Sequence, residues 1–477
     1  MNEGPPTPTP TVAPTACSTN YATYSFVGAG KASNVAGGYD SAVLGGDSND
    51  VCLSDSAIGA GDGNQILANG GESGGSFIAG GQYNVLVGQF AFIGGGNNNS
   101  IVGINSFLGA GDKNMNTGGS SFVGAGSDNN APAFYSFVGA GNGNSAEGMS
   151  SFVGAGDSVY VTHQGGGGTP PPGNVAGGTD SFVGAGDLND VTGNGSFIGA
   201  GDYTYALGGT STLPGNQVSG TDSFVGAGDQ NVVSANEAFV GSGGTNTITS
   251  AASYATILGG NRNIVTGEYA SILGGFGNTA SGSYAMVAGG DSDTAAGILS
   301  FAGGYHADAA HNGSFVWSDY SSGSTTVKDA AANEFVVRAS GGVFLYSNEA
   351  VTTGVELSPG SGTWASLSDR NAKTDIAPLD DDSVLAKVAS LPVSTWRYRS
   401  EGGVRHVGPM AQDFYAAFGV GEDDRHITSI DEDGVALAAI KGLDAKLARK
   451  DEQIERLQSR LEALEAKVEA LASTRNR

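Results

Sequence analysis

Residues 121–141 read SFVGAGSDNNAPAFYSFVGAG, a short apolar pair closed by small residues, then a polar turn, then the same motif again. Phe122 and Phe137 are 15 residues apart. Phe77, Phe92, Phe107, Phe122, Phe137 and Phe152 all keep that step, as do Phe182 to Phe197 and Phe224 to Phe239. The spacing from Phe152 to Phe182 reads as two periods, with Gly165–Gly173 replacing one motif. Farther on the motif becomes A-x-I-L-G-G, at Ile257–Leu258–Gly259–Gly260 and Ile272–Leu273–Gly274–Gly275, and Met286 and Phe301 carry the step to about residue 305. Five or six residues of strand with a tight turn cannot bury a core alone, but stacked coils can. The repeat therefore predicts a mainly β fold, a parallel β-solenoid or β-roll of 15-residue coils. Roughly 19 coils at about 4.8 Å each give a rod on the order of 90 Å.

Adjacent strand residues point to opposite faces. Because Phe77 and Ile78 are both apolar, one face can fill the interior while the other calls for a partner surface. This predicts a homo-oligomer. The flanking glycines permit positive φ and close coil-to-coil approach. Asn84, Asn114, Asn144, Asn189, Asn231, Asn263 and Asn278 suit either αL turn positions or a stacked ladder. Asp62, Asp112, Asp157, Asp187, Asp202 and Asp229 follow the G-A-G step. A calcium β-roll would show a nine-residue period and denser Gly-Asp spacing, so these read as turn and solvation residues, and no metal is expected.

Gly makes up 81 of 477 residues against only 14 Pro, without a G-X-Y period, which excludes collagen. The net charge is −26, and of the 21 basic residues only Lys31, Lys113 and Arg262 precede residue 320. Such an acidic shaft repels nucleic acid and anionic membranes. No apolar run is long enough for a membrane helix. Residues 1–20 read as a disordered Pro/Thr-rich leader without a secretory signal. A protein acting outside a cell would then leave by another route, by lysis, or from a longer start. Cys17 and Cys52, the only cysteines, imply no disulfide framework, although an oxidising compartment would permit one bridge.

The solenoid reading covers residues 21–310. From Phe315 the repeat stops, and residues 311–363 read as a β-rich neck in which Glu334–Ala339 and Gly342–Tyr346 are strands joined through Ser340–Gly341. Charge and mixed α/β patterning begin near Trp364. Residues 380–383 can cap a helix from Val384 to Leu391, ended by Pro392. Val393–Tyr398 reads as a strand and Gln412–Phe418 as a helix. Residues 439–474 form heptads, with Ile440, Leu447, Ile454, Leu461 and Val468 at a. Leu443, Leu457, Leu464 and Leu471 stand at d, with Lys450 the polar exception, a coiled-coil pattern.

Two resemblances extend this reading. The repeat, most closely Ala255–Gly290 with Y-A-x-I-L-G-G and N-x-x-x-G-x-Y, resembles the head of trimeric autotransporter adhesins. That likeness implies a trimer of left-handed parallel β-rolls. The stretch Leu367–Ser368–Asp369–Arg370–Asn371–Ala372–Lys373 resembles the S-D-x-x-x-K signature of the intramolecular chaperones that end phage endosialidase tailspikes. The same domain occurs in other phage fibres and in a myelin regulatory transcription factor. Trp396–Arg397–Tyr398, His406–Val407–Gly408–Pro409–Met410–Ala411–Gln412–Asp413 and the helical tail extend the match over residues 364–477. It implies a chaperone and autopeptidase domain at 364–438 that cuts only itself through a Ser–Lys dyad. Ser368 would be the nucleophile, Lys373 its general base, and Leu367–Ser368 the scissile bond.

A serine hydroxyl needs a base to accept its proton, and lysine serves only when neutral. Five residues of regular helix or strand do not bring the two side chains together, so a turn or another subunit must. His406, Gln412 and Asp413 are candidate neighbours of the site, with structural roles as the alternative reading: His406 a partly buried histidine, Gln412 an early helix residue. No cofactor is expected. The expected protein is thus a homotrimeric fibre or head, extracellular, on a cell surface or on a virion, facing a host receptor or glycan. It would insert in no membrane and bind no nucleic acid. The alternative is an uncleaved surface adhesin with the C-terminal module as a permanent trimerisation foot. A polysaccharide-degrading tailspike lacks a paired-carboxylate site that stands out.

Overall fold

The computed structural model describes Cys17 and residues 22–31, 33–68, 74–157, 173–201, 214–323 and 325–475. The 1–20 leader, apart from Cys17, and Asp202 lie outside the described residues. Two compact units divide the chain, residues 1–340 and 341–477.

The first unit is a parallel β-solenoid. Each coil carries two short strands rather than one. The first sheet stacks the S-F-V motif in 19 strands, from Phe26–Val27 to Phe335–Arg338. The second stacks the segment after each ladder asparagine, starting at Val35–Ala36, and runs on past the last of them to Val327–Lys328. All pairings are parallel, with Phe122 opposite Phe137 and Val123 opposite Val138, and the step slips by a residue only where Met286–Asp291 meets Phe301–Tyr305. A third column of single bridges runs just past the G-A-G step, from Asp47–Asp62 to Phe276–Asp291.

Inside and outside follow the two-residue alternation of a strand. Ile93, Leu108, Val123, Val138 and Val153 are fully buried and form one continuous core with Ile101, Ala131 and Ala146 of the second sheet. The neighbouring phenylalanines point outward and stack on each other. Phe122, Phe137 and Phe152 lie 4.7 Å apart with nearly parallel rings. The outward face thus gains part of its apolar contact within one chain, and Phe107 stays 37% exposed. Gly126 shows why the motif needs glycine: its φ is +107°, and a Cβ there would sit 2.0 Å from the carbonyl oxygen of Gly141 in the next coil.

Of the two roles open to the asparagines, the structure takes the ladder. They run as a buried column from Asn34 to Asn278. The positive-φ positions fall one residue earlier, at Tyr83 (+53°), Lys113 (+56°) and Asp128 (+55°). A typical rung is Asn99. Its backbone N–H and its Nδ2 both donate to Oδ1 of Asn84 at 3.0 Å, and Nδ2 also reaches the carbonyls of Gly95 and Gly111. Every buried polar atom of that side chain therefore has a partner, as burial requires.

The coil count differs in detail from the spacing. Phe152 pairs directly with Phe182, so the 30 residues between them make one coil with an insertion, not two coils. Phe197–Phe224 and Ala57–Phe77 are longer coils of the same kind. The stack also runs past residue 310: Phe301, Phe315 and Phe335 pair in sequence. The two differences offset each other. Glu334–Ala339 and Gly342–Tyr346 form no hairpin, because Phe335–Arg338 belongs to the solenoid while Val343–Tyr346 pairs antiparallel with Gly354–Leu357. Asp319 closes the last coil. Its carboxylate accepts from Arg338 Nε at 3.2 Å and from the backbone N–H and hydroxyl of Ser340.

Cys17 and Cys52 are joined in a disulfide, so the one bridge the sequence allowed is present. Asp50 lies beside the bridge, but the disulfide leaves neither sulfur as a thiolate ligand for a metal. Among the described residues, the G-A-G aspartates form no cluster that could hold a metal. Asp157 instead donates its backbone N–H to the Asp187 carboxylate at 2.9 Å.

The second unit holds a three-stranded antiparallel sheet (Val343–Tyr346, Gly354–Leu357, Ala365–Ser366) and a two-stranded one (Ser394–Trp396, His406–Gly408). Its helices are α1 (Asp381–Ser390), α2 (Ala411–Phe418) and α3 (Ser429–Arg475). Asp380 caps α1 by accepting from the Ser383 N–H. Helix α1 lies on the start of α3, with Val384, Ala438 and Ala439 buried and Leu385, Val388, Phe418 and Val435 packed around them. Gly442 permits the approach, since a Cβ there would meet the Asp381 carbonyl at 2.3 Å. Beyond that contact the heptad residues of α3 are open, from Leu443 at 48% to Leu471 at 70% exposed. No helix among the described residues is long and apolar enough to cross a membrane.

Candidate active site

The site begins at the edge of the three-stranded sheet. Ala365 and Ser366 pair with Glu356 and Val355, and the Leu367 N–H extends the pairing by donating to the Gly354 carbonyl at 3.2 Å. The backbone of Leu367 is therefore tied to the sheet, and Ser368 is the first residue beyond it.

The chain then reverses. Arg370–Ala372 is a single 3-10 turn with Asp369 as its N-cap. The Asp369 carboxylate accepts from the Asn371 N–H at 2.9 Å and from Asn371 Nδ2 at 3.1 Å. The Ala372 N–H donates to the Asp369 carbonyl and the Lys373 N–H to the Arg370 carbonyl, both at 3.2 Å. The turn returns Lys373 to Ser368, and Nζ donates to Oγ at 2.6 Å. Of the two devices the sequence left open, a local turn is the one that joins these side chains. Both residues are exposed. A protonated lysine donates across this contact. A neutral one would accept the serine proton over the same distance, which is the arrangement an activated nucleophile needs.

The other candidates lie elsewhere. His406 pairs with Trp396 across the two-stranded sheet, stacks on its ring at 4.7 Å and meets Glu401 through Nε2 at 2.8 Å. Gln412 is in the first turn of α2 and lines a cleft of about 380 Å³ with Trp396, Tyr398, Met410, Arg425 and Glu432. Asp413 sits in the same helical turn. Among the described residues, no hydrogen bond links His406, Gln412 or Asp413 to Ser368 or Lys373. The cleft holds a feature that sequence reasoning passed over: Trp396 Nε1 is buried and has no hydrogen-bond partner. The signal for the cleft was the W-R-Y and G-P-M-A-Q stretches, which fold against one another.

Residues 368–420 match the model of the peptidase family described as chaperone of endosialidase. No curated protein matches the chain. The matched segment starts at Ser368 and contains the serine–lysine contact, α1, the two-stranded sheet and α2. The family implies serine-peptidase activity of the autoproteolytic type. A chaperone-of-endosialidase segment behind a β-solenoid fits a fibre-like protein with a C-terminal chaperone.

Proposed function

We propose that this chain is a homotrimeric fibre protein whose C-terminal module gathers three chains, guides the solenoid into register and then cuts itself off before Ser368. The observation that carries this reading is the 2.6 Å contact between Lys373 Nζ and Ser368 Oγ at the start of the matched segment.

The chemistry is an acyl transfer within the chain. Ser368 Oγ adds to the Leu367 carbonyl carbon while neutral Lys373 takes the hydroxyl proton. The C–N bond breaks as the Ser368 nitrogen is protonated, leaving the Leu367 acyl group as an ester on Oγ. Water hydrolyses that ester to a Leu367 carboxylate and restores the hydroxyl. The hydrogen bond from Leu367 N–H to the Gly354 carbonyl holds the acyl side still.

Trimerisation supplies what one chain lacks. The exposed heptad face of α3 needs partner helices, and a bundle of three in all is consistent with the likeness to trimeric heads. A second chain lying over the exposed dyad would desolvate the lysine, which favours its neutral form and makes cleavage conditional on assembly. Parallel solenoids carry non-local pairings and a risk of register slip, so a clamp that sets register and then leaves would trap the folded fibre kinetically. The site of action is a cell surface, a virion or the extracellular space, with a receptor or glycan as target. The exposure of both dyad residues in one chain is what favours the second reading, an uncut adhesin with a permanent foot.

Sedimentation equilibrium on the full-length Ser368→Ala protein tests the assembly. The expected mass is that of three chains at micromolar concentration, and monomers there would sink the scheme.

A further inference from the structure

We infer that Asp369 is a positioning residue for the Ser368–Lys373 pair, acting through the turn between them. The inference rests on the proposed self-cleavage.

Five residues of extended chain would carry Lys373 about 17 Å from Ser368. What brings it back to 2.6 Å is the three-residue turn Arg370–Ala372. A turn this short is marginal by itself: a first hydrogen-bonded turn fixes several dihedrals for one bond, and 3-10 geometry is weaker than α. Packing does not hold it either, for the turn contains no buried residue. Its backbone closes through two 3.2 Å bonds. The remaining fastener is the Asp369 carboxylate, whose Oδ1 accepts from both the backbone and the side-chain nitrogen of Asn371.

The carboxylate acts by geometry, not by charge. Among the described residues, no ion pair joins Asp369 to Lys373 or to Arg370. An oxygen acceptor at this position is therefore what matters, and Asn and Ser are as good as Asp at a cap while Ala is not.

The test is a time course of self-cleavage with its pH profile for wild type, Asp369→Ala, Asp369→Asn and Asp369→Ser. It is paired with hydrogen exchange at the Asn371–Lys373 amides in the uncut Ser368→Ala background. Asp369→Ala should slow cleavage about tenfold and speed exchange in the turn. Asp369→Asn and Asp369→Ser should recover the rate to within about threefold with an unmoved pH profile, and keep the protection. Wild-type cleavage by Asp369→Ala overturns the inference. So does an Asp369→Asn protein that is as slow as Asp369→Ala with a shifted profile, since charge would then be the agent. If wild type itself never cleaves, the functional reading fails. The exchange comparison still decides the turn: unchanged protection in Asp369→Ala overturns the role of Asp369, and lost protection supports it.

Discussion

Asn278 and Asp293 are consecutive rungs of one buried column, and only Asn278 carries an amide. The Asp293 N–H donates to Asn278 Oδ1 at 2.9 Å, and Asp293 Oδ1 accepts from the Ala307 N–H at 2.7 Å. Its Oδ2 is buried without a partner. On the preceding rungs this place is filled by an Nδ2 that donates to glycine carbonyls, as Asn263 does to Gly259 and Gly275. A protonated carboxyl can donate in the same way, whereas an ionised one faces those acceptors with a charge.

Burial pushes Asp293 up to about 6, against the opposing pull of the Ala307 N–H and His306 and with a further push from Asp291. The folded state therefore holds more protons than the unfolded state between about pH 4 and 6. Stability falls as pH rises through that window. Asp293→Asn should restore the amide donor and stabilise the solenoid at pH 7 by about 2–3 kcal/mol, with the gain fading as pH falls from about 6 to about 4. Thermal melts at pH 4 and pH 7 check this, and an equal gain at both would mean that the carboxyl is not protonated in the fold.

The converse holds in the middle of the column. Asn129 donates to Asn114 Oδ1, Ala125 O and Gly141 O, and its own Oδ1 accepts from the backbone and side chain of Asn144. Asn129→Leu strands several buried polar groups and should cost about 3 kcal/mol or more. Asn129→Asp should be milder at pH 4 than at pH 7, creating a second pH-sensitive rung. Denaturant midpoints at the two pH values measure both effects.

The outward ladder contributes separately. Phe137 stacks on Phe122 and Phe152 at 4.7 Å on either side. Phe137→Ala removes two stacks and their shared apolar area, an expected loss of about 2 kcal/mol. A denaturation curve that moves by less than about 0.5 kcal/mol would show that the ladder contributes little to the fold.

These columns explain what could be read from the chain beforehand. The S-F-V-G-A-G step was legible because every coil meets the same constraints, an inward Val138, an outward Phe137 and glycines against the next coil. The second strand of each coil was not, since its mark is only an Asn followed two residues later by a small or branched apolar residue, as in Asn84–Val85–Leu86. Spacing could not tell a coil from an insertion between Phe152 and Phe182, because 30 residues is also two periods. The reach of the stack to Arg338 was hidden by the changed motif after Phe301, where backbone pairing persists without the sequence signature. Ser368 and Lys373 were paired through the resemblance to the S-D-x-x-x-K signature, since their spacing alone left a local turn and another subunit equally open. The places of His406 and Gln412 depend on how the two-stranded sheet and α2 meet, which no local pattern encodes.

The proposed reading stands on self-cleavage at Leu367–Ser368 through Ser368 and Lys373. Intact-mass measurement on freshly expressed wild type, Ser368→Ala and Lys373→Ala tests it most directly. Wild type alone should yield a fragment of residues 368–477, with both variants left whole. Full-length protein in all three, or a cut Ser368→Ala chain, would contradict it.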